Sequence, residues 1–395
     1  MIEIDAPRGF RFAGMASGIK KAGKPDLALI VSDGPATCAG VYTKNKVVAA
    51  PLRITRENLA AGKCQAILVN SGNANACTGA AGMQAARETL GLVAGELGLA
   101  PELIAISSTG VIGQQLRLEP FKVGIPQLAA TLSATAAAAV AEAIRTTDAY
   151  ANDACAGDFC EPGYKVLGLA KGAGMIHPNM ATMLSFVLTD ADVEAELLDA
   201  ALRRAVAKSF NSITVDGDTS TNDMVLVLAN GHSGATIAAG TAEAEAFCCH
   251  LDRVLLDLAK MIVRDGEGAS KLVQIKVVGA ADADSARVAA RSVATSSLVK
   301  TAFFGEDANW GRIIAAVGYS GIEVDQDRID ISFDSVPVTV NGLSTGAERE
   351  AEATEVLKRD EFIVTINLNQ GEAEADYYTS DLGYEYVRIN ADYRT

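Results

Sequence analysis

Along most of the chain, short aliphatic runs alternate with longer stretches in which apolar residues recur at helical spacing. Leu27–Ser32 and Gln65–Asn70 are runs of this kind, bounded by Gly, Asn and Pro. A strand that is apolar at every position is covered on both faces, which is what helices packed on a sheet provide. The alternation therefore predicts an α/β or layered α+β class. At 395 residues the chain exceeds the ~250–300 at which a single core stops growing, so it is long enough for two or three cores. No fixed-period repeat and no low-complexity segment interrupts the pattern.

Taken in order, AGVYTKNKVVAAPLRIT (39–55) reads as a further strand pair broken by Pro51. The small-polar segment Asn70–Gly79 reads as a loop before a helix reaching about Leu99, with Ala86, Leu90, Leu92, Val93 and Leu97 on one side. Glu102–Ser107 predicts a strand that ends in a turn, Ser108-Thr109-Gly110. One long Ala-rich helix runs to about Arg145, and Asp148–Gly163 reads as a linker. Tyr164–Leu169 and Met183–Leu188 are buried strands, and Asp192 is placed to cap a helix over Val193–Lys208. Asp216–Asp223 forms an acidic, hydroxyl-rich loop before a strand at Met224–Leu228. A helix over Ala244–Arg264 leads to the glycine-flanked loop Asp265–Lys271 and a strand, Leu272–Val278. Ile329–Phe333, Val336–Val340 and Phe362–Leu368 are strand-like, with Pro337 suited to a sheet edge.

Charge and cysteine usage narrow the function. The net charge of −15 argues against nucleic acid and anionic membranes as partners, and a carboxylate substrate would need local positive charge. The start, MIEIDAPRGFRF, has no basic segment leading an apolar one, and no window nears ~20 apolar residues, so no signal peptide or membrane span is expected. Seven scattered cysteines predict reduced thiols and a cytoplasmic location. No P-loop or dinucleotide fingerprint is present: Gly168, Gly172 and Gly174 have the wrong spacing. Cys248-Cys249-His250 resembles a metal cluster, but adjacent helical residues diverge by about 100° and no second ligand pair stands near. No metal or cofactor is implied.

The segment from Lys171 to Phe186, KGAGMIHPNMATMLSF, carries more chemistry. Gly172 and Gly174 loosen the backbone before His177-Pro178-Asn179, and Thr182 sits where an irregular loop enters a strand. A threonine hydroxyl is a weak nucleophile until a base stands beside it, and a threonine at a new chain terminus brings one, its α-amine. Thr109 and Gly110 offer a hydroxyl and a freely oriented N–H, the donors an oxyanion needs. Lys171 supplies positive charge and Glu267 a carboxylate on a flexible loop. Each residue alone also fits an ordinary use, as turn former, first strand residue or solvated charge, and spacing does not bring them together.

Long ordered motifs carry a resemblance. They include VNSGNANACTG (69–79), SSTGVIG (107–113), KGAGMIHPNMATML (171–184), ITVDGDTSTND (213–223), RDGEGASK (264–271), NWGR (309–312) and RINADYRT (388–395). Through them the chain resembles the ornithine acetyltransferase family of arginine-biosynthesis enzymes, which also act as glutamate N-acetyltransferases. The resemblance implies an αββα-type sandwich, as in N-terminal-threonine aminopeptidases, with a smaller second α/β domain. It implies a precursor that cleaves itself between Ala181 and Thr182. The products would be an α chain (1–181) and a β chain (182–395), assembled as an α2β2 heterotetramer. Freed Thr182 would take acetyl from N-acetylornithine and pass it to glutamate. Thr109 and Gly110 match the family's oxyanion hole, and Thr146, Lys171, Thr182, Glu267, Asn390 and Thr395 its substrate contacts.

Acetyl-CoA is the further donor of bifunctional members, although the sequence has no phosphate-cradling motif for it. Two departures stand out: Tyr378-Thr379-Ser380 where the family has Trp-Gly-Cys, and Ala149-Tyr150-Ala151-Asn152 where it has Thr-x-Pro-Lys. The second weakens the transfer of a role to Thr146. Two other functions fit parts of the sequence: an N-terminal-nucleophile amidase or aminopeptidase with water as acceptor, and a binding protein that never cleaves.

Overall fold

The computed structural model describes residues 5–158, 163–177 and 183–392. The first part contains β1 (Phe10–Met15), β2 (Leu27–Tyr42), α1 (Ala50–Asn58), β3 (Lys63–Asn73), α2 (Gly79–Leu97), β4 (Ile104–Val111), α3 (Glu119–Ala130), α4 (Ala137–Ile144), β5 (Asn152–Asp158) and β6 (Tyr164–Lys171). Next come β7 (Leu184–Thr189), β8 (Asp192–Val193), α5 (Ala195–Lys208), β9 (Ile213–Thr214), β10 (Met224–Ala229), β11 (Thr236–Ile237) and α6 (Ala242–Arg264). The last part holds β12 (Leu272–Ala280), α7 (Ala283–Thr295), α8 (Ser297–Phe304), α9 (Trp310–Gly318), β13 (Asp330–Phe333), β14 (Val336–Val340), β15 (Leu343–Ser344), α10 (Ala347–Leu357), β16 (Glu361–Asn367), β17 (Ala373–Ser380) and α11 (Tyr384–Asp392).

The long strand β2 organises the main sheet, whose order is β4-β3-β2-β10-β7-β6-β5 with β1 also paired to β2. Its first part, Leu27–Val31, pairs with β1 and β3, whereas Thr37–Tyr42 pairs with β10. The register slips between Val31 and Ala36, the kind of irregularity at which a strand bends. The two half-sheets then face one another. Ile30, Ile67 and Val69 of one half share a core cluster with Leu167, Phe186 and Leu226 of the other, together with α4. Because successive strand residues point to opposite faces, the neighbours of these residues cover the outside. Leu29, Leu68 and Ile106 pack under α1, α2 and α3; Val166, Val187 and Val227 pack under α5 and α6. The result is the helix–sheet–sheet–helix sandwich expected.

A second sheet, β15-β14-β13-β16-β12-β17-β9, forms the smaller domain. Val273, Ile275, Val364 and Ile366 pack there against α7, α8, α9 and α10. Its link to the main body is β9, whose Ile213 and Thr214 pair with Tyr378 and Thr379 of β17. In the main sheet β7 lies between β6, antiparallel to it, and β10, parallel to it.

Several sequence expectations are corrected. Residues 39–55 are no strand pair: β2 continues to Tyr42 and α1 follows, with Pro51 in the first helical turn, where its missing N–H costs nothing. The single Ala-rich helix is two, α3 and α4. Between them Ser133 exchanges two backbone hydrogen bonds of 2.9 Å with Phe12, tying that segment to β1. The supposed linker contains β5, paired with β6 from Asn152–Ala170 to Asp158–Tyr164. Asp192 belongs to β8 and caps nothing, since α5 begins at Ala195. Ser108, Thr109 and Gly110 lie within β4 rather than in a turn after it. The polar strand β17 and the exposed helix α11 carried no apolar pattern to predict them.

Candidate active site

A cavity of about 190 Å³ opens where the two half-sheets end, lined by Thr109, Gly110, Thr146, Lys171, Glu267 and Asn390 among others. The lining comes from β4, the segment after α4, the end of β6, the loop before β10, the loop after α6, and α11. Six of the residues singled out in the sequence thus meet in one place. Thr182 and Ala181, Thr395 and the Pro178-Asn179 step lie outside the described residues. Their neighbour Met183 is fixed: its N–H donates to Asp223 Oδ1 at 3.0 Å, and its carbonyl accepts from Met224 N at 3.0 Å.

Gly110 is required by its surroundings. Its φ is +128°, and a Cβ there would stand 2.4 Å from the Gly72 carbonyl carbon. Gly72, itself at φ +98°, lies opposite on β3, so two bare backbones approach at the rim. Thr109 is buried, and its hydroxyl has no hydrogen-bond partner among the described residues.

Lys171 is 5% exposed and has no hydrogen-bond or ion-pair partner among the described residues. Burial lowers its pKa, opposed by the charges of Asp148, Asp223 and Glu267. Burial also raises Asp223 well above the carboxylate range, against the pull of Lys171 and the Met183 N–H. Lys171 thus lies among Asp148, Asp223 and Glu267 with its side chain lining the cavity, a donor placed where a carboxylate could meet it. Glu267 Oε2 accepts from Asn390 Nδ2 at 2.8 Å. Gly174 keeps room for that carboxylate, since a Cβ would stand 2.7 Å from it.

Aspartates that the sequence did not single out hold these groups in place. Asp148 joins two of them: Oδ2 accepts from Thr146 N (2.7 Å) and Oγ1 (3.2 Å), and Oδ1 from Gly172 N (2.5 Å). Asp216 accepts from Met175 N (2.6 Å) and Ile176 N (2.8 Å), and burial pushes it up to about 6 against its own amide donors. Tyr386 of α11 also lines the cavity, beside Asp216. Asp265 accepts from Ala149 N (2.8 Å) and Tyr150 N (3.2 Å), anchoring the segment that departs from the family pattern. Asp381 accepts from Ser270 N (2.7 Å) and Lys271 N (2.9 Å), fixing the loop that carries Glu267. Asn222 spans the two half-sheets, donating to Ala74 O (2.8 Å) and Ser108 O (2.7 Å). Apart from the Thr146–Asp148 contact, which spans two residues, the partners are 24 or more residues away along the chain, so little in the sequence marks these roles.

His177 meets Thr214 Oγ1 at 3.2 Å on the approach to the cavity. His250 pairs with Tyr164 OH at 2.8 Å, and among the described residues no group of three or more His, Cys, Asp or Glu side chains is placed to hold a metal ion. Among the described residues no helix is long and apolar enough to cross a membrane.

Known proteins give this arrangement a context. The ArgJ family model matches residues 11–395. The arginine biosynthesis bifunctional protein ArgJ of Syntrophotalea carbinolica is 62% identical over 98% of this chain and 99% of that one. The protein of the same description from Geobacter sulfurreducens is 53% identical over 98% and 99%. A crystal structure of the arginine biosynthesis bifunctional protein ArgJ of Bacillus halodurans superposes with a TM-score of 0.52 at 46% identity, covering 54% of this chain and all of that one. With a site, a sandwich and a full-length match in agreement, the chain belongs to the ArgJ family.

Proposed function

We propose that Thr182 is the nucleophile of this site and that the chain cleaves itself before it, giving chains 1–181 and 182–395 that stay together as an α2β2 assembly in the cytoplasm. The reaction is acetyl transfer from N2-acetyl-L-ornithine to L-glutamate in arginine biosynthesis, and the chain is an acyltransferase. The observation that carries the reading is the meeting of Thr109, Gly110, Lys171, Glu267 and Asn390 around one cavity, where Lys171 pairs with Leu184 at the start of β7.

The chemistry follows from these groups. The α-amine of Thr182, with an ordinary pKa near ~8, accepts the hydroxyl proton as Oγ attacks the acetyl carbonyl. Thr109 Oγ and the Gly110 N–H stabilise the oxyanion, a contribution of ~3–4 kcal/mol per donor. The C–N bond then breaks, the amine recovers the proton, and ornithine leaves an acetyl ester on Thr182. The α-amine of glutamate attacks that ester and releases N-acetylglutamate. Lys171 receives a substrate carboxylate, Glu267 held by Asn390 receives an ammonium group, and Thr146 and Thr395 complete the contacts. Acetyl-CoA serves as a second donor to the same hydroxyl.

Two measurements test this. A mass spectrum of the purified protein is expected to give two fragments split before Thr182; an intact active chain, or an active Thr182→Ala variant, sinks the reading. Acetyl transfer to glutamate is expected to exceed acetate release from N-acetylornithine; the reverse makes the protein an amidase.

A further inference from the structure

The molecule carries a net charge of −15, yet one region beside the cavity is basic. Lys44 and Lys46 stand on the connection from β2 to α1, Arg53 and Arg56 stand on α1, and all four are exposed. Lys44, Lys46 and Arg56 line an open groove of about 820 Å³, and Lys46 and Arg53 line an adjoining hollow that reaches Asn75. Arg203, also in the groove, is ion-paired with Asp199. Lys44, Lys46, Arg53 and Arg56 have no carboxylate partner among the described residues, and Arg56 lies over the Tyr42 ring, 5.5 Å from its centroid. Glu57 is an acid on the neighbouring rim. Cations left unpaired along one groove repel each other, and the focused field attracts anions.

The same connection is fastened to the wall of the catalytic cavity. Thr43 Oγ1 donates to Ser220 O at 3.0 Å, Asn45 Nδ2 to Thr219 O at 3.1 Å, and Ala49 N to Thr221 O at 3.1 Å. Ser220 and Thr221 line the cavity itself, while Thr43 and Asn45 line the groove. One peptide segment is therefore shared by the place where acetyl is transferred and the place where positive charge collects. Solvated surface lysines would not need that grip.

We infer that this groove binds the phosphate-bearing end of a nucleotide thioester, acetyl-CoA, while its neutral acetyl-bearing arm crosses the 43–49 connection into the cavity. The inference rests on the acetyl-Thr182 reading. In the step it serves, the Thr182 Oγ–acetyl bond forms and the thioester C–S bond breaks. The hydroxyl proton passes through the α-amine to the departing sulfur. Lys and Arg side chains suit mono- and diester phosphates, so such a site needs no glycine-loop motif.

The test compares the wild type with Lys44→Ser/Lys46→Ser and Arg53→Ser/Arg56→Ser, none of which touches the catalytic cavity. The KM for acetyl-CoA is expected to rise about tenfold or more in each, the loss of one or two charge-assisted hydrogen bonds. Transfer from N-acetylornithine should stay within about twofold, a split that misfolding would not produce. Acetyl-pantetheine, which lacks the nucleotide phosphates, should be insensitive to the substitutions. Adenosine 3′,5′-bisphosphate should compete with acetyl-CoA alone. Equal losses in both reactions, no loss in either, or equal protection by inorganic phosphate overturns the inference. So does a wild type that uses N-acetylornithine but not acetyl-CoA. A wild type that transfers acetyl from neither donor fails the functional reading instead.

Discussion

At Gly110 backbone conformation and chemistry impose the same demand. A side chain there would have to adopt φ +128° and push against Gly72, 2.4 Å away. If its N–H faces the oxyanion as proposed, Gly110→Ala displaces that donor and is expected to lower kcat by about a hundredfold or more. Steady-state kinetics at saturating N-acetylornithine, with circular dichroism to show retained structure, checks this. Lys300 gives a different residue-scale prediction. It is buried, donates to Thr379 Oγ1 (2.9 Å), Ser380 Oγ (3.1 Å) and Ser380 O, and burial pushes its pKa down to about 7 against the pull of Asp381. Above about pH 7 the folded chain has released a proton that the unfolded chain keeps until about 10.5, so stability rises with pH across that window. Below it both states are protonated and the term is constant. Lys300→Met should remove this slope, shrinking the variant's stability relative to wild type by up to ~1.4 kcal/mol per pH unit between pH 7 and 10. Denaturant unfolding at several pH values measures it. Thr379 and Ser380 are two of the residues that depart from the family pattern, and their hydroxyls have a use here: they solvate this lysine.

At the scale of elements, the aliphatic strands were legible in the sequence because burial on both faces leaves an unbroken apolar run. β7 and β10 were found within a residue of their bounds. The misreadings share a cause. Pro51 signals a break in a strand and a good start for a helix equally well, and only packing against β4 decides. The alanines of 129–141 have helical propensity throughout, but Ser133 is claimed by Phe12 of β1. The cavity was partly legible, through Thr109, Lys171 and Glu267. The aspartates that position it were not, because, the Thr146–Asp148 contact aside, their partners are backbone amides far along the chain. Asp223 illustrates the consequence: through Met183 it fixes the start of β7, one residue beyond the proposed scissile bond. Asp223→Ala is expected to slow self-cleavage at least about tenfold, by freeing that anchor. A time course on a denaturing gel reads it directly, and cleavage at the wild-type rate would remove the role.

At the scale of the whole molecule, residues 1–181 and 182–395 do not form separate bodies. The cavity takes Thr109 and Lys171 from the first and Glu267 and Asn390 from the second. β10 pairs with β2, and β7 pairs with β6, so both strands entering the sheet from the second segment are bonded to the first. Cutting the chain at 181 would leave these ladders and the shared core intact, and the fragments should elute together on gel filtration.

The interleaving of β7 and β10 with β6 and β2 would make the proposed cleavage irreversible in a further sense. As one chain, these strands find each other at the high local concentration that a covalent tether provides. Once the tether is gone, a denatured molecule must reassemble from two solutes, neither of which owns a complete sheet. Recovery from urea should then depend on concentration for the matured protein, and not for an uncleaved Thr182→Ala precursor. The enzyme would carry its folding instructions for a single use: the cut that would free the proposed nucleophile would also erase the route by which the molecule was built.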